Sequence, residues 1–219
     1  MWYAVLCPLS SWLLISSISS TIIENIQDEC QTGLAMLTFY YFDFRHVDKQ
    51  DARSFLSSLL MQLGDQSEKF LQILSDLHLS HRHGSRQPSD DELQRCLKDM
   101  LELPEQGELY IVVDALDECQ NLTAFPTPRE QVLNIIKQLV ALNASHLHLC
   151  VTSRFETDIR WVLAPLGPDS VSLHDQPGQR DDIARYVKEI VESDTKMRLW
   201  PEEKRKLVIS TLSEKGCSM

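Results

Sequence analysis

The sequence predicts an α/β fold in which a parallel sheet lies between layers of helices, with a helical segment at the C-terminal end. From residue 34 onward, apolar runs alternate with segments of helical periodicity, which is typical of βαβ units. The two middle runs are apolar almost throughout, as expected of strands that are buried on both faces. A chain of 219 residues is long enough for one large domain, or for one domain and part of another.

The apolar runs predict the strands. These are Leu34–Phe44, Leu109–Leu116, Leu147–Ser153 and Ser170–Leu173. A further apolar run, Trp2–Leu6, lies in the N-terminal segment.

Two of the predicted helices have recognisable beginnings. Ser89 and Glu92 form a capping box, and Thr127-Pro128 with Glu130 supplies a cap, a first-turn proline and an N3 carboxylate. The other helices are predicted at Ala52–Leu63, Ser67–Leu79, Glu156–Leu166, Gln179–Glu192 and Pro201–Leu212. The lack of a further strand after the fourth run predicts a boundary near residue 175. We therefore expect an apolar segment at 1–23, an α/β domain at 24–175 and the start of a helical domain at 176–219.

The charge balance excludes one class of function. Lys and Arg total 21 and Asp and Glu total 32, so the formal net charge is −11. A nucleic-acid binder needs a large basic face to neutralise phosphates, and this composition does not supply one. The six cysteines have irregular spacing and no Cys-x-x-Cys element, which favours reduced thiols and a cytoplasmic protein.

Residues 1–23 carry no charged side chain, and Glu24 is the first. A signal peptide would need a positive N-terminal region, and six serines dilute the apolar residues that a membrane span would need. We therefore expect this segment to be buried in the core and not inserted in a membrane. A membrane-tethered or secreted protein remains an alternative.

The segment most informative about function is YIVVDALDE, residues 110–118. It describes a buried strand that delivers Asp114 at its carboxyl end, where open parallel sheets bind ligands. Asp117 and Glu118 follow within one turn, and such crowding of acids needs a cation or a proton to offset their repulsion. Mg²⁺ held beside substrate phosphates fits that need; a solvated loop after a strand is the simpler alternative.

A second strand ends with Thr152, Ser153 and Arg154. The carboxyl ends of parallel strands meet at one edge, so Arg154 is predicted to lie on the same edge as Asp114. A guanidinium group suits phosphate recognition because its planar fork donates several hydrogen bonds. The two strand ends together predict a metal–triphosphate pocket.

The strings YIVVDALDEC, PREQVLNIIKQLV and CVTSRFETDIRWVLAPL closely resemble those of fungal NACHT-type proteins, in the STAND class of P-loop NTPases, whose nucleotide domain is called nephrocystin-3-like. The resemblance spans about residues 16–214. It implies a signalling switch that binds ATP or GTP with Mg²⁺, oligomerises, and continues into a winged helix and a repeat-built sensor. It also implies that Asp114 is the Walker B metal residue, that Asp117 with Glu118 positions or activates water, and that Arg154 is the phosphate sensor.

The sequence departs from that family at the P-loop, G-x-x-x-x-G-K-[ST], whose amides and lysine hold the phosphates. Counting back from the following helix places the lysine on Ile15 and the hydroxyl residue on Ser16. No glycine precedes Gly33 and no lysine precedes Lys49. We therefore expect nucleotide binding to be weak or absent. Two explanations of the missing P-loop are kept. The chain is either a truncated or mis-spliced product, or a degenerate pseudo-NTPase interaction module that binds copies of itself or full-length relatives.

Lesser signals are interpreted as structural. His78, His81 and His83 lack a fourth partner for zinc at a recognisable spacing. Asp43 and Arg45 lie at the end of the first predicted strand and are interpreted as residues that order a loop.

Overall fold

A computed structural model describes residues 2–7, 12–81, 84–104, 107–121, 125–167, 169–172 and 179–218. It contains a five-stranded sheet in which all neighbouring strands are parallel. The strands are β1 (Trp2–Cys7), β2 (Ala35–Tyr41), β3 (Glu108–Asp114), β4 (Leu147–Arg154) and β5 (Asp169–Ser172). Their order across the sheet is β2-β3-β4-β1-β5.

Helices cover both faces of this sheet. They are α1 (Trp12–Cys30), α2 (Ala52–Gln66), α3 (Glu68–Ser80), α4 (Asp90–Leu101), α5 (Pro128–Ala141), α6 (Thr157–Leu163), α7 (Gln179–Ser193) and α8 (Glu202–Ser218). On one face, Ile23 of α1 packs with Leu37 and Val112 of the sheet. The larger core on the other face joins β2, β3 and β4 to α2, α4, α5 and α6. The predicted three-layer α/β fold is confirmed.

The larger core depends on α2, whose inward positions are leucine and phenylalanine. Phe55, Leu56, Leu59 and Leu63 are all fully buried, and their spacing keeps them on one face of the helix. Gly64 allows α3 to approach closely, because a Cβ atom there would lie 2.4 Å from Leu74 Cδ1. Both predicted capping boxes are present, at the starts of α4 and α5.

The first predicted strand is shorter than expected. It ends at Tyr41, and the chain then turns at Asp43. The Asp43 carboxylate accepts hydrogen bonds from the Arg45 main-chain N–H and from its Nε, both at 2.9 Å. These bonds to Arg45 hold the pKa of Asp43 well below its usual range. The interpretation of Asp43 and Arg45 as loop-ordering residues is confirmed.

The C-terminal helices α7 and α8 pack against each other. The predicted division at residues 23 and 175 is not tested by these contacts and stays a prediction. Within the described ranges, no helix combines the length and the apolar character needed to cross a membrane.

The strand order determines where a ligand-binding crevice is expected. β1 lies between β4 and β5, and the helix after β1 covers the face opposite to the helix after β4. Connections that leave neighbouring strands toward opposite faces open a crevice at the carboxyl ends of those strands. This switch point lies at the ends of β1 and β4, beside the end of β3.

Candidate functional site

The site lies at the carboxyl edge of β3 and β4. Val113 pairs with Val151, so the next residues along each strand, Asp114 and Thr152, lie side by side. Arg154 ends β4 at the same edge. The structure thus confirms that the first acid and the arginine share one edge of the sheet.

Asp114 is buried, with 3% of its surface exposed, and is held by two hydroxyl groups. Its Oδ1 accepts a hydrogen bond of 2.5 Å from Thr152 Oγ1 and another from Ser19 Oγ. Both hydroxyl residues are fully buried. Hydrogen bonds to the charged form stabilise a buried carboxylate. Through this one oxygen atom, the end of β3 is bonded both to β4 and to α1.

Burial around this carboxylate extends to the neighbouring strand. The pKa of Tyr41 is raised mainly by burial and further by the charge of Asp114. The Phe42 N–H donates to the Asp114 carbonyl oxygen at 3.1 Å, which extends the pairing of β2 and β3 to the end of the strand.

Ala115 turns the chain sharply after β3. Its φ of 54° and ψ of 45° lie in the left-handed region, which costs a residue with a Cβ atom about 1–2 kcal/mol. Its N–H donates to Thr152 Oγ1 at 3.1 Å, so this threonine hydroxyl also stabilises the turn. The turn leads into a short 3₁₀ helix, Leu116–Glu118, that carries the other two acids.

Asp117 is paired with Arg154. Its Oδ1 accepts from the Arg154 main-chain N–H at 2.7 Å, and its Oδ2 accepts from Arg154 Nε at 2.5 Å. The Asp117 side chain is 3% exposed and that of Arg154 24% exposed. The cation that offsets the charge of Asp117 is therefore supplied by the chain itself.

A second arginine, Arg129, bonds to the main chain of the same turn. Arg129, at the start of α5, is 8% exposed and donates to the carbonyl oxygens of Cys119, at 3.1 Å, and Asp117, at 2.5 Å. Its guanidinium also forms an ion pair of 3.2 Å with Asp158 of α6. The Arg129 side chain thus connects the acidic turn to both α5 and α6.

Glu118 points toward the loop after β2. Its Oε2 accepts a hydrogen bond of 3.0 Å from the Phe44 N–H. Burial raises the pKa of Glu118, and the negative charges of Asp117 and Asp43 raise it further. A carboxyl group shifted in this direction is better suited to exchange protons near neutral pH than an ordinary one.

The three acids therefore have three different sets of partners. Among the side chains that the structure describes, no three from His, Cys, Asp and Glu are arranged to share a metal ion. Ser16 lies in α1, and its side chain is outside the described part of the structure. The described hydroxyl of α1 that contacts Asp114 is that of Ser19, three residues further along.

Sequence reasoning missed two residues of this site. Ser19 gave no local signal, because its partner is 95 residues away in sequence. Arg129 did give one: it is the second residue of a helix, where a positive charge opposes the helix dipole and needs another partner. The predicted polar pair, Thr152 and Ser153, lies at the end of β4, and Thr152 is the member that contacts Asp114.

Of the three histidines considered for zinc, the two that the structure describes lie at the end of α3. His81 follows α3, where its Nε2 lies 3.2 Å from Glu92 Oε1 and its Nδ1 lies 2.8 Å from the Leu77 carbonyl oxygen. His78 belongs to the last turn of α3, and His83 lies outside the described residues.

Comparison with known proteins identifies the family of this chain. A search of curated protein sequences gives no match. The family described as Nephrocystin 3, N-terminal, matches residues 16–154, a span that begins in α1 and ends with Arg154. This span covers more than half of the chain and contains all of the acidic residues and arginines of the site. The chain therefore belongs to the nephrocystin 3 N-terminal domain family.

Proposed function

We propose that this chain is the nucleotide-binding domain of a NACHT-type signalling switch, in the STAND class of P-loop NTPases found in fungi, and that its nucleotide binding is impaired. The observation that carries the proposal is the contact of Asp114 with Ser19 at the switch point of the sheet. It joins the acid at the end of a buried strand to the helix after β1, where a metal–phosphate group would be held.

The acidic side of the site fits Mg²⁺. A carboxylate and hydroxyl oxygens are the ligand types that this ion takes, together with water and substrate phosphates. Asp114, with Ser19 or Ser16, would hold the ion. Asp117 and Glu118 are proposed to position water, and the raised pKa of Glu118 supports a role as proton acceptor. Arg154 is proposed as the sensor of the terminal phosphate.

The connection between β1 and α1, where the phosphates would be held, does not fit a nucleotide. Residues 8–11, between β1 and α1, are Pro-Leu-Ser-Ser, and neither a glycine nor a lysine stands in or near this connection. Glycines let a phosphate-binding loop aim its amides at the ligand, and the lysine neutralises the β- and γ-phosphates. We therefore derive no hydrolysis step and expect ATP and GTP to bind weakly or not at all.

Titration with a fluorescent ATP analogue in the presence of Mg²⁺ tests this proposal. The comparison uses the wild type, Asp114→Ala, and Asp76→Ala as a control on the exposed surface of α3. We expect weak binding that does not distinguish the three proteins. Tight binding that is lost in Asp114→Ala and kept in Asp76→Ala would contradict the claim of impairment and support a working nucleotide site.

A non-enzymatic interaction module is the second candidate. It is favoured by the internal pairing of the site, since Asp114 is bound by two hydroxyls and Asp117 by Arg154. Its partners would be further copies of the chain or full-length relatives in the cytoplasm. Sedimentation with and without ATP and Mg²⁺ separates the two: a module self-associates equally in both conditions, whereas a switch domain whose nucleotide binding is impaired stays monomeric in both.

A further inference from the structure

The open edge of the sheet at β2 is covered by two glutamine side chains. Among the residues that the structure describes, β2 is the last strand on its side of the sheet and pairs only with β3. Such an edge presents main-chain N–H and C=O groups that can pair with another strand. Here those of Leu37 and Phe39 are bonded by Gln66 and Gln62, which lie one turn apart on α2.

Each glutamine amide binds one strand residue twice. Gln62 accepts from the Phe39 N–H at 3.0 Å and donates to the Phe39 carbonyl oxygen at 2.8 Å. Gln66 does the same to Leu37, at 2.9 and 2.7 Å. This exchange of one N–H···O bond in each direction is the pattern that an antiparallel partner strand would make.

The orientation of both amides is fixed by a second donor bond. The remaining N–H of Gln62 donates to Ser58 Oγ at 2.9 Å, and that of Gln66 donates to the Gln62 carbonyl oxygen at 2.8 Å. Every amide proton is therefore used. The two glutamines therefore make the hydrogen bonds that a neighbouring strand would make. They also end the sheet, because their side chains present no main-chain groups to a further strand.

The sequence of β2 is of a type that pairs with identical strands of other chains. β2 reads AMLTFYY and contains no charged residue, no proline and no glycine. Short segments of this composition have high strand propensity and associate with identical segments when their edge is exposed. The partner that fits the edge best is therefore β2 of a second copy, arranged antiparallel about a twofold axis.

We propose that Gln62 and Gln66 close the β2 edge against a second copy of this chain, and that displacing their amides turns the edge into a strand-pairing surface for that copy. The proposal is independent of nucleotide binding, since α2 and β2 contribute none of the site residues.

Two double variants separate edge opening from general destabilisation. Gln62→Ala with Gln66→Ala removes both amides and exposes the edge. Gln62→Glu with Gln66→Glu keeps the size of the side chains but loses the donors to the strand carbonyls, and it places two negative charges at the edge. Charged groups at an edge oppose strand pairing, so both variants lose stability but only the alanine variant opens the surface.

Sedimentation equilibrium measures the self-association constant of each variant, and far-UV circular dichroism verifies that each is folded. The control is Gln72→Ala with Gln138→Ala, two exposed helical glutamines. We expect the alanine variant to self-associate at least about tenfold more tightly than wild type, and the control and glutamate variants to match wild type. Unchanged association of the alanine variant would overturn the proposal. Equal tightening in the glutamate variant, or aggregation without a two-chain species, would overturn it as well.

Discussion

Replacement of Arg129 by methionine tests whether the acidic turn depends on buried bonds to its main chain. Methionine keeps an unbranched apolar stem but removes the donors to the Cys119 and Asp117 carbonyl oxygens. A buried polar group left without its partner costs about 1–3 kcal/mol. The two carbonyls together predict a loss of about 3 kcal/mol in the free energy of unfolding, and the lost ion pair with Asp158 adds a smaller contribution.

Two further variants assign that loss. Asp158→Ala leaves the two carbonyl bonds intact and removes the ion pair together with a 3.2 Å hydrogen bond from Asn121 Nδ2. The Asp158 side chain is 36% exposed, so we expect a loss of about 1 kcal/mol or less. Lys137→Met makes a matched replacement at an exposed position of the same helix, and we expect a change within about 0.5 kcal/mol. Urea unfolding measured by circular dichroism gives all three values from the midpoint and slope. If Asp158→Ala cost as much as Arg129→Met, or Arg129→Met matched Lys137→Met, the assignment to the carbonyl bonds would be wrong.

Two other predictions concern the strand ends. Thr152→Val removes the hydroxyl that joins Asp114 to the Ala115 N–H and should cost about 2–3 kcal/mol, whereas Thr152→Ser keeps that hydroxyl and should cost about 1 kcal/mol for the lost methyl group; equal losses in urea unfolding would contradict the role given to the hydroxyl. Because the pKa of Glu118 is raised in the folded state, its protonated form stabilises the fold at low pH and this contribution is lost as pH rises through that pKa. Glu118→Gln should therefore have a higher melting temperature than wild type at pH 8 and a similar one at pH 4, and a difference that does not shrink toward low pH would refute this.

The sequence predicted the edge at which the site lies but not the partners within it. Asp114 and Arg154 could be placed together because each ends an apolar run, and parallel strands end at a common edge. The crowding of Asp114, Asp117 and Glu118 suggested a shared cation. The structure instead points these side chains toward different groups, because the left-handed turn at Ala115 rotates the chain between the first acid and the other two.

The C-terminal ends of helices and strands were predicted less well than their beginnings. The capping boxes at Ser89 and Thr127 are each complete within four consecutive residues, so the local sequence contains all of their partners. The end of β2 at Tyr41 depends on hydrogen bonds between Asp43 and Arg45 and on the approach of Glu118 to Phe44. The last of these contacts spans 74 residues of sequence and is not visible in local periodicity.

By itself, the sequence determined the α/β layering, the strand ends that carry the acids and an arginine, and the lack of glycine and lysine where phosphates would be held. These properties depend on residue type and short-range spacing. Only the tertiary structure decided that Ser19 and Thr152 share Asp114, that Arg154 pairs with Asp117 while Arg129 bonds the main chain of the acidic turn, and that two glutamines close the sheet. Those contacts join residues 10 to 95 positions apart that lie on different elements of the fold. Which elements are neighbours depends on the strand order, and the strand order results from packing of the whole chain.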